Sequence, residues 1–229
     1  LTPYQTKTDT SLTTNDKTIS GAIKELNTQY KDIANKTSDI INILEFKKYV
    51  KNNDDWTEAF QKAIDLQETN LVTIYVPSKK TPYKIGKLYI KNRLSIRGDN
   101  NYWGDNIHHS SPANDSVIIT TQETVINSKP NYEDTKKAIS ITNLSFDSEN
   151  TNCTFFNNLK LSGSYIYNNR FRSYSIFLYG QLNMMSIIEH NLVLDIKKNF
   201  MTYNSINLTD SRIINNYING STASNEVVM

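Results

Sequence analysis

Two aspartates and a run of tyrosines and arginines are the residues of this sequence best suited to chemistry. Asp147 follows Phe146 by one place, and Asp195 follows Val193 by two. A pair of carboxylates can break a glycosidic bond, because one protonates the leaving oxygen while the other activates water or attacks. The structural alternative is that Asp147 faces Arg172 as an ion pair and Asp195 is a solvated turn residue. Between the two acids, Tyr165, Tyr167, Tyr174 and Tyr179 share a stretch with Arg170 and Arg172. A tyrosine ring stacks on the face of a sugar, and a guanidinium pairs with phosphate or carboxylate. The same rings could instead form a ladder that packs one turn of chain on the next.

How close these groups come depends on a repeat. In four stretches an apolar residue is followed five places later by another: Ile141/Phe146, Ile166/Phe171, Ile188/Val193 and Ile213/Ile218. Their starts are 25, 22 and 25 residues apart, and the last three carry an asparagine three places in, Asn169, Asn191 and Asn216. Repeats of this length, with short strands and polar turns, fold as coils stacked on one another. The isoleucines 141, 166, 188 and 213 should then form one internal column, and Phe146, Phe171, Val193 and Ile218 a second. The asparagines should sit at a bend and hydrogen-bond along the stack. With coils about 4.8 Å apart, Asp147 and Asp195 would be separated by about 9–10 Å, the upper end of the spacing used by inverting glycosidases.

Upstream, residues 1–17 are polar, Thr-rich and aperiodic, and read as an extended arm. Ile19, Ile23, Leu26, Tyr30, Ile33, Thr37, Ile40 and Leu44 then step by four and three in alternation. This heptad seam predicts a coiled coil over 18–46. Isoleucine at the d positions and small or apolar flanks favour three strands over a parallel dimer. The alternative is an amphipathic helix packed on its own domain. Residues 47–229 read as one β-rich domain. It opens with a helix over 54–69, with Asp54 or Asp55 as N-cap and Trp56, Ala59, Phe60, Ala63 and Ile64 on the apolar face. Short strands are expected at 71–76, 83–85, 88–90, 94–96, 117–120 and 124–126.

Bulk properties exclude several classes. A net charge of +2 on 229 residues offers no field to draw in nucleic acid. Mean hydropathy of −0.54 is low for a thick core but suits a thin stack of coils. No apolar run reaches the roughly 18 residues of a membrane span. Cys153 stands alone and reads as a small buried apolar residue. The loop from Asp99 to Ser110 begins like a calcium loop but lacks the final glutamate. His108 and His109 are adjacent and point apart, and His190 has no i, i+4 partner, so neither metal nor cofactor is expected. The chain starts without an initiator methionine and is read as part of something longer, with coils continuing past 229.

Several of these segments resemble a known family. Lys17–Leu26 (KTISGAIKEL) is similar to helical connectors of bacteriophage tail fibres and appendages. Asp54–Asp65 (DDWTEAFQKAID) resembles the helix at the mouth of pectate-lyase-like β-helices, and Ile74-Tyr-Val-Pro77 and Leu94-Ser-Ile-Arg-Gly98 resemble the strand and first coil that follow. Ser78–Tyr83 replaces the usual short Gly-containing turn. The resemblance implies a right-handed parallel β-helix preceded by a coiled coil, in a homotrimeric tailspike or tail appendage. It implies a place in the virion tail, with other tail proteins and bacterial cell-surface polysaccharide or teichoic acid as partners. Two functions stay open: an adhesive fibre, and a depolymerase whose acids lie in these coils or downstream. A monomeric secreted lyase is a third, and it leaves the heptads without a purpose.

Overall fold

The computed structural model describes residues 20, 21, 23–25, 40–99, 115–183, 185–203 and 210–220. The chain divides into two compact units, Leu1–Asp39 and Ile40–Met229. In the first, residues 20, 21 and 23–25 are helical and Ile23 is exposed. The 1–17 arm and the seam positions Ile19, Leu26, Tyr30, Ile33 and Thr37 lie outside the described residues.

The last two seam positions are not part of a coiled coil. Ile40 begins strand β1 (Ile40–Asn42), and Leu44 sits in a 3-10 helix, Ile43–Tyr49, both in the second unit. Asn42 ends the strand and caps the turn: its side chain accepts from the Leu44 amide at 2.9 Å, and Glu45 accepts from the Asn42 amide at 3.3 Å. The heptad pattern overran because Ile40 and Leu44 keep helical spacing, whereas the backbone of 40–42 is held by a sheet edge that periodicity cannot register.

The second unit is built almost wholly of parallel strands that recur in threes. The first turn holds β2 (Thr73–Val76), β3 (Tyr83–Ile85) and β4 (Leu88–Ile90). The second holds β5 (Arg93–Gly98), β6 (Val117–Thr120) and β7 (Thr124–Ser128). The third holds β8 (Lys136–Thr142), β9 (Ser145–Ser148) and β10 (Thr154–Leu161). The fourth has β11 (Tyr165–Tyr167), β12 (Arg170–Arg172) and β13 (Ile176–Leu182). The fifth has β14 (Ile187–Glu189), β15 (Leu192–Ile196) and β16 (Asn199–Tyr203), and the sixth β17 (Arg212–Ile214) and β18 (Tyr217–Gly220).

Each strand pairs with its counterpart one turn on. The first ladder runs β1-β2-β5-β8-β11-β14-β17. The second runs β3-β6-β9-β12-β15-β18 and the third β4-β7-β10-β13-β16. This is parallel β-helix connectivity, with 22 to 25 residues in each of the regular later turns.

Both expected columns form. Ile141, Ile166 and Ile188 are register partners and buried, with Ile74 and Ile96 above them; Ile213 continues the column but is 40% exposed. Phe146, Phe171, Val193 and Ile218 align likewise, and the rings of Phe146 and Phe171 stack at 5.5 Å. The asparagine ladder is as expected. The Asn169 amide donates to Asn191 Oδ1 at 3.0 Å, and the Asn191 amide to Asn216 Oδ1 at 2.9 Å. Their side chains donate to Ile141, Ile166 and Ile188 carbonyls one turn back. The residues before them, Asn168, His190 and Asn215, take φ near +54°, the left-handed bend that turns the chain from one ladder to the next.

A second ladder of the same design occupies another corner. Ser164, Ser186 and Ser211 each follow a left-handed residue, Gly163, Met185 and Asp210. The Ser164 amide donates to Ser186 Oγ at 3.3 Å and the Ser186 amide to Ser211 Oγ at 3.2 Å. These serines keep the 22- and 25-residue spacing of the asparagines, five places earlier. Single serines in polar turns resemble ordinary loop residues, so residue type alone does not mark this ladder.

Helix α1 (Thr57–Gln67) covers the first turn, with Trp56, Ala59, Phe60, Ala63 and Ile64 buried as expected. It starts three residues later than the expected 54, because Asn53 and Asp54 take positive φ in a preceding turn. Trp56 holds the N-cap position, while Asp55 Oδ1 accepts the Thr57 amide at 2.9 Å. The helix also satisfies open strand edges. Gln61 pairs with both the amide and the carbonyl of Tyr89 at 2.9 Å, and Glu68 accepts the Lys91 amide at 2.8 Å. Buried Gln67 donates to the Val72 carbonyl at 2.8 Å.

Candidate functional site

Strand alternation sends every second side chain of the first ladder outward. One outward column holds Ser95, Ser140, Tyr165, Ile187 and Arg212 in register; the next holds Tyr75, Arg97, Thr142, Tyr167, Glu189 and Ile214. Tyr165 is 40% exposed and its ring stacks on Tyr167, with centroids 5.5 Å apart and planes within 7°. The two rings pack face to face on one strand and carry two hydroxyls. His190 meets Tyr167 edge-on at 5.5 Å, and its Nδ1 lies 3.1 Å from Glu189 Oε1. Partial burial, Tyr167 and the Glu189 charge together raise the Tyr165 phenol above its usual value, so it stays neutral.

At the other end of this face, Arg97 sits 5.7 Å over the Tyr75 ring. The Tyr75 hydroxyl donates to Asp99, which also accepts the Ser78 amide at 2.7 Å. A depression of about 270 Å³ opens at Ser140, the register partner of Tyr165, lined by Arg93, Leu94, Ser95, Ala138, Ile139, Ser140 and Gly163. Its lining is more apolar than polar, with the register pairs Ser95–Ser140 and Arg93–Ala138 supplying its polar groups and its one charge.

The aspartates lie on the second ladder. Asp147 on β9 and Asp195 on β15 are separated by β12, and Asp147 is the register partner of Arg172 as expected. The ion pair nevertheless forms with the other arginine: Arg170 Nη2 donates to both Asp147 oxygens at 2.9 and 3.0 Å. A long guanidinium reaches diagonally to the residue two places from its own register partner. Arg172 instead lies 4.0 Å from Asp195, which stands at a bulge with φ 55°. Each carboxylate therefore has its own cation.

Two of the residues expected to bind glycan are corrected by their burial. Arg170 is 2% exposed and committed to Asp147, and Tyr174 is 1% exposed against Phe155. Ser173, in a left-handed bend, turns the chain so that Tyr174 points into the core. Tyr165 and Tyr167 remain outside, on a different ladder from Arg172.

The third ladder carries a column that sequence reasoning did not assemble: Tyr89, Asn127, Asn157 and Tyr179 are successive register partners. Asn157 Nδ2 donates to Asn127 Oδ1 at 3.0 Å, and both tyrosines are exposed. Their sequence gaps of 38, 30 and 22 residues are unequal because the loops differ in length, which hides the alignment. Among the described residues, no cluster of three His, Cys, Asp or Glu could hold a metal ion.

Family models, curated proteins and solved structures were each compared with the chain, and none matches it.

Proposed function

We propose that this chain belongs to a bacteriophage tail appendage of the tailspike type. In this proposal a right-handed pectate-lyase-like β-helix, trimerised through its N-terminal heptads, binds bacterial cell-surface glycan on the outer face of its first ladder. The observation that carries the proposal is the exposed Tyr165, stacked on a half-buried Tyr167 and next in register to a shallow depression. Sugar rings present C–H faces to aromatic planes, and a rigid stack of strands holds the ring in place without ordering cost on binding.

The paired arginines favour adhesion over cleavage. A general acid must reach the leaving oxygen, and both Asp147 oxygens are already engaged by one Arg170 nitrogen. The decisive experiment incubates the purified protein with wall teichoic acid and capsular polysaccharide, and measures both retention and new chain ends. Retention that is weakened by Tyr165→Ala and Tyr167→Ala, with no new ends, is the expected result. New ends that vanish in Asp147→Asn or Asp195→Asn would establish the depolymerase in its place. Sedimentation equilibrium tests the trimer: a monomer mass for the whole chain would end that part of the proposal.

A further inference from the structure

The depression beside Tyr165 contains a single charge. Arg93 on β5 is its only charged lining residue, and no acidic side chain borders it. Among the described residues Arg93 takes part in no ion pair, unlike Arg170 and Arg172. Its register partner on β8 is Ala138, whose methyl leaves room for an incoming group above it. Two places along on the same face, Ser140 supplies a hydroxyl, and Ser95 Oγ shares a hydrogen bond with Thr73 Oγ1 at 2.9 Å. Gly163 closes the corner with no side chain, and nothing lies within 4 Å of where its Cβ would stand. Tyr165 is the next residue in the Ser140 column.

We propose that this depression is an anion subsite: it seats a carboxylate or phosphate group borne by the saccharide that stacks on Tyr165, with Arg93 as counter-ion. The proposal rests on the glycan-binding face described above and specifies which glycans that face prefers. A guanidinium with a neighbouring serine hydroxyl matches the oxygens of a tetrahedral phosphate or a planar carboxylate. A neutral sugar would leave the guanidinium without a charged partner, so the subsite selects for acidic repeats. The stacked rings alone cannot make that distinction.

The test uses the whole chain and three defined probes: a neutral chitotetraose, a tetragalacturonate carrying carboxylates, and a short polyglycerol phosphate. Titration calorimetry on the wild type is expected to rank one or both acidic probes above the neutral one. Arg93→Gln should weaken the acidic probes about ten-fold and leave chitotetraose unchanged. Ala138→Leu fills the depression from an exposed position and should give the same selective loss. The probe that suffers most identifies phosphate or carboxylate as the favoured group. Equal affinity for all probes, or an equal loss for neutral and acidic probes in Arg93→Gln, would overturn the subsite while leaving the Tyr165 face standing. If no probe binds, or Tyr165→Ala changes nothing, the underlying face falls and the subsite with it.

Discussion

Arg170 on β12 grips Asp147 on β9 with one nitrogen shared between both carboxylate oxygens, at 2.9 and 3.0 Å, in a site where the arginine is almost fully buried. Removing one partner strands the other. Asp147→Ala is expected to cost about 3 kcal/mol, because an uncompensated buried charge remains. Replacing both residues by apolar ones should recover much of that loss. Urea unfolding of the single and double variants reads the difference, and a neutral Asp147→Ala would show that the pair is not structural.

The two polar corner ladders should differ in strength. Asn191 donates through its amide and its side chain and accepts twice from Asn169, all in a buried setting. Asn191→Ala orphans several of these groups and should destabilise by about 3 kcal/mol. Ser186→Ala removes one acceptor and should cost about 1 kcal/mol. Denaturant midpoints of the two variants, compared at equal slope, decide the order.

Two glycines with positive φ predict opposite tolerances. At Gly180 a Cβ would come within 2.1 Å of the Leu159 carbonyl oxygen, so Gly180→Ala should prevent proper closure of the β10–β13 pairing. At Gly163 the space is open, and Gly163→Ala should cost only the left-handed backbone penalty, about 1 kcal/mol. Soluble expression and thermal midpoint separate the two.

Asp99 should contribute to acid sensitivity. Burial pushes its carboxyl up, but the Ser78 amide, the Tyr75 hydroxyl and Arg97 outweigh burial and hold it below the usual value. A depressed carboxyl stabilises the fold above its unfolded value of about 3.9, and that contribution is lost as pH falls through the folded value. Asp99→Asn should therefore flatten the acid limb of a melting-temperature profile below pH 4 and change little in slope above it. An unchanged acid limb would refute the assignment.

Cys153 is buried, and burial pushes its thiol up to about 11. Alkylating reagent at pH 8 should leave it unmodified in the native protein and label it on unfolding. Mass spectrometry before and after denaturation measures both states.

Columns that recur at 22 or 25 residues were legible because every turn there must bury the same two positions, and Ile141, Phe146 and Asn169 announce them by type. The ion-pair partner of Asp147 was not, since adjacency in register says nothing about where a long side chain reaches. Tyr174 looked like its exposed neighbours because its inward turn depends on the backbone of Ser173. Arg93 and Ala138 gave no signal, being 45 residues apart, with the loop between β5 and β6 adding to the gap. Glycan contact was readable as residue type only; which tyrosines are accessible had to come from packing.

Helix α1 blocks one end of the strand stack by offering Gln61 and Glu68 where a neighbouring backbone would otherwise dock. Runaway end-on polymerisation of the amyloid kind is thereby denied a template on that side. The protection is local to the first strand of the third ladder, where Tyr89 and Lys91 already have partners.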